Sequence, residues 1–552
     1  MKSESIPVTL EWRSIELNVQ TAAGPKAILR GLTGHASPGD LVGIMGPSGA
    51  GKTSLLNVLA QRTPGAPGGQ VLLNGEPWRE KYLSILAYMP QDEMFLAELT
   101  PREHLTFMAQ LRMHGREPAE QAQRVEQVLR EMKLTGVANS LIGAPQADGS
   151  LSRNERKRLN FATETLTEPS LLYVDEPTTG LDSVMAKNVV EQLKLMASGS
   201  TEHPAKRTVI ATIHQPSAEI FKLFDKLYFI VDGRLAYFGP TAAVPAYFGA
   251  MGYDMPPTAA SVPDFVMELC VDPSHRSAAA VRRKELCEKF TTAEVPAPRS
   301  AASDAALAQV NAVAAAPAST QFGILVARDL LMRRRTPILT KAIIARNVVL
   351  ATLLGLVLLR LDMSQTYVYS LTGSIFFGVA SCVMPTAIGH ISTLPFQLPV
   401  VIREVRANSY SVKAYFAAKF LGDIPVDFIG CALFATLLNF LTGMAHDDPV
   451  VWLKCVGIFF CATLIGNAIG QWGAIVAPSD APFVGLIFVL LLVIPQFLFC
   501  GVMILIDQIP VWWRWMAEVS VFRYFLELAM SAQVICRSRR SHLSFYLFSL
   551  SA

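Results

Sequence analysis

Short apolar runs alternate with helix-spaced apolar positions over the first half of the chain, and long unbroken apolar stretches replace them later. In the first region, Leu41-Val-Gly-Ile-Met45 predicts a buried strand. Ser54-Leu-Leu-Asn-Val-Leu-Ala60 predicts a helix one glycine-rich loop further on. The same alternation over residues 1–270 predicts an α/β domain. Residues 271–320 are alanine-rich and poor in aromatics, so a linker without a core is expected there. From 321 to 552 the pattern is that of membrane helices, each needing about 20 apolar residues.

The spans follow from windows without Asp, Glu, Lys or Arg: Met363 to Ile402, Phe428 to Ala445, Cys455 to Ser479 and Pro482 to Ile506. A further span, Ala342 to Leu361, has Arg346 and Arg360 near its ends, where both can snorkel. Five spans are therefore expected near 342–361, 370–394, 420–444, 453–476 and 482–506. Arg328, Arg333–Arg335, Lys341 and Arg346 place the first span's start in the cytoplasm by the positive-inside rule. Arg403, Arg406, Lys413 and Lys419 mark the next cytoplasmic loop, and His446-Asp-Asp-Pro449 then falls outside. The arginines of Arg537-Ser-Arg-Arg540 conflict with that rule, because five spans leave the C-terminus outside.

Composition agrees with this division. Of 552 residues, 51% are hydrophobic and only 17% charged, against about a quarter charged in soluble domains. A net charge of +3, with no basic stripe carrying interleaved aromatics, argues against nucleic acid as a partner. The eight cysteines lack metal spacing and read as small buried hydrophobes. The polar N-terminus carries no apolar signal region, so a cytosolic domain is expected first.

The loop between the predicted strand and helix is Gly46-Pro47-Ser48-Gly49-Ala50-Gly51-Lys52-Thr53, with Ser54 next, and it fits the phosphate-loop pattern G-x-x-x-x-G-K-[ST]. Its glycines let backbone N–H groups face phosphates, Lys52 reaches the β/γ oxygens, and Thr53 can hold Mg²⁺. Leu171-Leu-Tyr-Val-Asp175-Glu176 is an apolar strand ending in two carboxylates. Asp175 suits the outer shell of Mg²⁺, and Glu176 suits polarising the attacking water. His214, just past another apolar strand, can donate to the γ-phosphate, and Gln91 can meet Mg²⁺.

Leu151-Ser152-Arg153-Asn154-Glu155-Arg-Lys-Arg158, followed by Pro177-Thr-Thr-Gly-Leu-Asp182-Ser, is decisive. A Ser-initiated helix upstream of the Asp-Glu strand resembles the ABC-transporter signature, and the motifs run in the ABC order. More narrowly, the chain resembles the G, or White-type, half-transporters, which place the nucleotide domain before the membrane domain. Leu99-Thr-Pro-Arg-Glu-His-Leu-Thr-Phe107, Glu155-Arg-Lys-Arg158, Ile402-Arg-Glu404 with Tyr410, and Phe499-Cys-Gly501 with Ile509-Pro-Val-Trp512 carry that likeness. The resemblance implies an α/β ABC nucleotide-binding domain followed by an all-α multi-span membrane domain. It further implies ATP and Mg²⁺ as cofactors, a homodimer or heterodimer of half-transporters in membrane lipid, export polarity, and residence in the plasma membrane. Ser152 and Asp182 are then expected to help enclose nucleotide.

Two departures stand out. Where the family signature has Ser-Gly-Gly, this chain has Ser152-Arg153-Asn154. In the family, one partner's signature covers ATP held by the other's phosphate loop. Side chains there should crowd the approach of a helix N-terminus to phosphate, unless Arg153 itself pairs with the phosphate. A heterodimer whose partner supplies an unmodified signature is the more attractive assembly. After about Met530 the family's external loop and sixth span are missing, for which a truncated product is the plain explanation and a five-span variant the alternative.

The family's second and fifth spans form an apolar slot across the dimer axis, which puts Ser381 and Met384 on the slot side and Val502 and Met503 on the plug that closes it. With no charge deep in those spans, a lipophilic or amphipathic cargo such as a sterol, phospholipid or xenobiotic is expected. A second reading is an ATP-binding, hydrolysis-impaired regulatory or truncated subunit that does not transport.

Overall fold

The computed structural model describes residues 6–538 apart from 22–23, 64, 66, 145–146, 200–205, 257–260, 271–275, 291–315, 360–364, 444–448 and 479–480. It divides into two compact units, residues 1–317 with 404–410, and residues 318–403 with 411–552.

The first unit holds two sheets. One is antiparallel, in the order β2-β1-β4-β5, from β1 (Leu10–Thr21), β2 (Gly24–Ala36), β4 (Gly68–Leu73) and β5 (Glu76–Pro77). The other runs β10-β9-β3-β8-β7-β6, from β3 (Leu41–Met45), β6 (Leu86–Met89), β7 (Leu171–Val174), β8 (Thr208–Thr212), β9 (Lys226–Val231) and β10 (Arg234–Pro240). Every residue of β3, β7 and β8 is buried, the near-continuous apolar pattern of strands covered on both faces. The core joins Trp12, Leu29, Ile44, Leu55, Tyr173, Tyr228 and Phe238. The polar atoms of the Trp12, Tyr173 and Tyr228 rings are satisfied: Trp12 Nε1 donates to Tyr228 Oη at 3.2 Å, that hydroxyl donates to the Thr33 carbonyl at 3.0 Å, and Tyr173 Oη donates to the Leu59 carbonyl at 3.0 Å.

Sheet order creates the site. In the parallel pairs, Ile44 faces Thr212, Val174 faces Ala211, and Met89 faces Val174. The loops after β3, β6, β7 and β8 therefore all leave one edge, the carboxyl edge, where open α/β sheets bind ligands.

The alanine-rich stretch expected to be a bare linker contains the helix Arg276–Lys289. Leu286 and Phe290 are buried, and Phe290 belongs to the nucleotide unit's core. The low aromatic content hid these two anchors, so that part is structural rather than a tether. The remainder, 291–315, lies outside the described residues.

In the second unit, four described helices are long and apolar enough to cross a membrane: Thr340–Val357, Thr372–Arg406, Val412–Thr442 and Pro449–Val476. Phe483–Leu498 is apolar but shorter, and stops short of the 506 expected for that span. Pro495 weakens its last turn, and Gly501, at φ 91°, turns the chain through a left-handed conformation. Val521–Ser538 follows. The stretch around His446 expected to face outside, Arg360, and the chain from 539 onward, including Arg540 and the terminal apolar tail, lie outside the described residues.

The helix Val412–Thr442 begins well before the charge-free window that flagged it and carries Asp423 and Asp427, both buried. Both carboxylates have partners within this unit, a charge for Asp423 and an amide for Asp427. Arg333 pairs with Asp423 and donates to Asp329 at 2.7 Å, Lys419 donates to Asp329 at 2.9 Å, and Asn467 donates to Asp427 at 2.6 Å while its own carbonyl contacts His390 at 3.0 Å. Partners of this kind make ionisable groups tolerable in an apolar helix bundle. Small residues allow the helices to approach, as where Gly466 and Gly470 rest on the backbone at Val383 and Ala387.

Candidate nucleotide-binding and hydrolytic site

Between β3 and the helix Lys52–Leu59, the loop is forced into its shape by what surrounds it. A Cβ at Gly46 would strike the Ile230 carbonyl oxygen, so only glycine fits this approach to β9. Gly49 and Gly51 take positive φ values of 78° and 99°, and Ala50 N–H closes a turn on the Pro47 carbonyl at 3.1 Å. Pro47 is half-buried, and Ser48 and Gly49 are exposed. Gly51 caps the helix without any side-chain acceptor, and no acidic residue sits in the first turn. The terminal N–H groups and the positive end of the helix dipole are therefore left for an external anion. Lys52 is buried, and its ammonium donates to the Gly46 and Pro47 carbonyls at 2.9 and 3.2 Å, within the loop it serves. Burial lowers its pKa, against the opposing pull of Glu176 and Asp175.

Asp175 and Glu176 emerge from β7 beside this loop. Thr53 Oγ1 donates to Asp175 Oδ1 at 3.1 Å, and Thr212 Oγ1 donates to the same oxygen at 2.6 Å. Burial raises the Asp175 pKa, while the two threonine hydroxyls oppose the rise. Thr53 and Asp175 form an oxygen-only donor pair at the loop's end, the chemistry that a hard cation such as Mg²⁺ takes. Ser54 stands next in the helix, half-buried.

Glu176 sits at φ 44°, a left-handed conformation that a glutamate adopts at a cost of order 1–3 kcal/mol. Three contacts hold it there. Its N–H donates to Thr212 Oγ1 at 2.8 Å, and its Oε2 accepts from Gln91 Nε2 at 3.0 Å and from Thr179 Oγ1 at 2.8 Å. Gln91 therefore meets the Glu176 carboxylate directly. His214 is exposed just beyond β8, where the Ile213 N–H donates to the Ile44 carbonyl at 3.0 Å and ties that loop to β3.

The helix Arg153–Thr165 starts at Ser152, whose hydroxyl accepts from Glu155 N–H while the Glu155 carboxylate takes the Ser152 N–H at 2.9 Å. This is a complete capping box. Lower on the helix, Lys157 pairs with Glu93 at 3.5 Å and Asn160 donates to the Pro90 carbonyl at 3.4 Å, anchoring the Gln91 loop. Asp182 caps the helix Ser183–Ser198 by accepting from Val184 and Met185 N–H, both at 3.0 Å.

Residues 29–179 match the family described as ABC transporter, and 320–534 match the family described as ABC-2 type transporter, as do 214–314. The chain is 33% identical over 518 residues to Protein white of Drosophila melanogaster, covering 90% of this chain and 73% of that protein. The chain belongs to the White-type, or G, half-transporters of the ABC family. It is also 31% identical over 531 residues to the ABC transporter ATP-binding protein/permease wht-1 of Caenorhabditis elegans, covering 91% of this chain and 77% of that protein. ABC transporter G family member 7 of Arabidopsis thaliana is 29% identical over 543 residues, with 94% of this chain and 73% of that protein covered. This half-transporter is thus a multi-pass membrane protein that hydrolyses ATP to move a substrate.

Sequence reasoning missed Thr179 and Thr212, which hold the two carboxylates, and Lys157 and Asn160, which hold the Gln91 loop. Each is an ordinary residue: Thr212, Lys157 and Asn160 act on residues distant in sequence, and Thr179 acts only because the chain after Glu176 turns back on it. In the membrane unit, Ser381 is buried in the helix Gln365–Arg406, Met384 and Val502 pack against the core, and Met503 is 65% exposed. A small cavity lined by Ile375, Leu438, Asn439, Phe459 and Ala529 involves none of these four.

Proposed function

We propose that Mg·ATP binds at the loop Gly46–Ser54 and is hydrolysed by Glu176. The observation that carries this reading is the convergence of Lys52, the Thr53–Asp175 pair and the three-point-held Glu176 at one edge of the sheet. Thr53 and Asp175, with Gln91 alongside, would hold the cation, which neutralises charge between the β- and γ-phosphates when bound. Lys52 and the loop N–H groups bind the phosphates. Glu176 orients water and draws its proton as the water oxygen bonds to the γ-phosphorus and the bond to the β–γ bridging oxygen breaks. ADP and inorganic phosphate leave. His214 donates to the γ-phosphate oxygens as their charge develops. Ser152 and Asp182 belong to the surface that closes over a partner's nucleotide.

The assembly favoured is a heterodimer with the nucleotide unit in the cytoplasm, at the plasma membrane. The partner's Ser-Gly-Gly covers ATP held by this chain, whereas Arg153 and Asn154 weaken the reciprocal site. The cargo is lipophilic or amphipathic. The charge-free windows Met363–Ile402 and Pro482–Ile506, and the exposed Phe377, Phe396, Leu491 and Met503, support that class. Five spans at the positions given above, beginning in the cytoplasm, belong to the same proposal. The full chain reconstituted in lipid nanodiscs should bind Mg·ATP and turn it over, alone or paired. Glu176→Gln should retain binding and lose turnover; turnover that survives the substitution overturns the assignment. Transport of fluorescent sterol or phospholipid analogues in proteoliposomes tests the cargo class, and uptake of only charged solutes would contradict it.

A further inference from the structure

The two side chains that replace glycine in the signature both turn onto one segment of their own chain. The Arg153 guanidinium lies against Gly180, where a built Cβ would collide with its Cζ and both terminal nitrogens. Gly180 holds φ 75°, so this segment adopts a shape suited to glycine and presents no side chain to the arginine. Asn154 Nδ2 approaches Met185 Sδ at 2.8 Å. Gly180 and Met185 bracket Asp182, whose carboxylate fixes the start of the next helix. One residue before Gly180, Thr179 donates to Glu176 Oε2 at 2.8 Å. A continuous set of contacts therefore runs from the signature helix to 180–185, through Thr179, to the carboxylate of the same polypeptide.

We propose that Arg153 and Asn154 are positioning residues for Glu176 of their own chain, clamping residues 177–185 so that Thr179 holds the carboxylate. The signature of this protein then acts at two nucleotide sites with opposite signs. Across the dimer it crowds the partner's phosphate. Within the chain it stiffens the support of Glu176. The second effect rests on the reading of Glu176 as the water-orienting group.

Two differently tagged copies of the full chain, purified as a mixed pair in nanodiscs, separate the effects. The second copy carries Arg153→Gly, Asn154→Gly and Glu176→Gln, so it offers a glycine signature and a dead carboxylate. The first copy is either unchanged or carries Arg153→Gly with Asn154→Gly; its own signature then faces only the dead site. The expected result is a kcat about fivefold lower in the substituted first copy at unchanged KM for ATP, a loss typical of a misplaced catalytic group. Amide hydrogen exchange in residues 177–185 of the full chain, which needs no turnover or pairing, should rise at least about threefold with the double substitution. Unchanged exchange, or a kcat that rises, overturns the clamp. If Glu176→Gln in the first copy leaves turnover intact, the role given to Glu176 fails instead, and the exchange result still decides the clamp.

Discussion

Two helix starts in the nucleotide unit, at Lys52 and at Arg153, differ in what meets their terminal N–H groups. The first has a glycine cap, no side-chain acceptor and no acid in its first turn. The second is closed by Ser152 and Glu155 in a reciprocal capping box, with Arg153 and Asn154 engaged on residues 180 and 185. An open helix start is a site for an anion from outside, whereas a satisfied one competes with that anion. On the proposed reading, the contrast is between an open phosphate cradle at Lys52 and a modified cover at Arg153.

The sharpest way to break the comparison is at the cradle. Lys52→Ala or Glu176→Gln should lower ATP turnover by ~100-fold or more, the scale of losing a principal charge-stabilising or proton-accepting group. A loss below about tenfold in steady-state assays would show the cradle is not where chemistry occurs. At the cover, replacing Arg153 and Asn154 by glycine in a copy that only covers should raise turnover about tenfold, as the helix start regains its approach to phosphate. Thr179→Val removes one of the two side chains, Gln91 and Thr179, that donate to Glu176 Oε2. Its kcat should fall about fivefold with KM unchanged, because only the orientation of the carboxylate is lost.

The smallest effect tests the scaffold. His35 is buried beside Lys226 and Asp40, and its pKa is pushed down to about 4 by burial first and by the Lys226 charge second. Between its ordinary value of 6.5 and about 4 the unfolded chain binds a proton that the folded one refuses. The contribution is fully present above pH 6.5 and is lost as pH falls through that window, by at most roughly 3 kcal/mol. Melting of the full chain in detergent should therefore show a shallower decline below pH 6.5 for His35→Gln than for the unchanged protein. Equal slopes would remove His35 from the account.

How much was legible in the sequence follows the same logic of local against distant causes. The phosphate loop was legible because its shape is set by contiguous glycines, and Asp175-Glu176 because an apolar strand runs directly into them. Thr212 and Thr179 were not, since their importance arises only when β8 pairs with β7 and when residues 177–180 turn back on Glu176. Asp423 and Asp427 escaped notice because a search for charge-free windows ends a span where charges begin, and Arg333 and Asn467 remove that boundary. Leu286 and Phe290 are two anchors in an otherwise alanine-rich stretch, too sparse to form a periodic signal.

The central claim is that the cradle of this chain is competent and its cover is the weak half. ATP turnover should be measured for the unchanged chain paired with a copy carrying Glu176→Gln alone, and again with a copy carrying Glu176→Gln together with Arg153→Gly and Asn154→Gly. The account predicts turnover about tenfold higher in the second pair, all of it from the unchanged chain's Glu176. Equal turnover in the two pairs, or a lower value in the second, would contradict it.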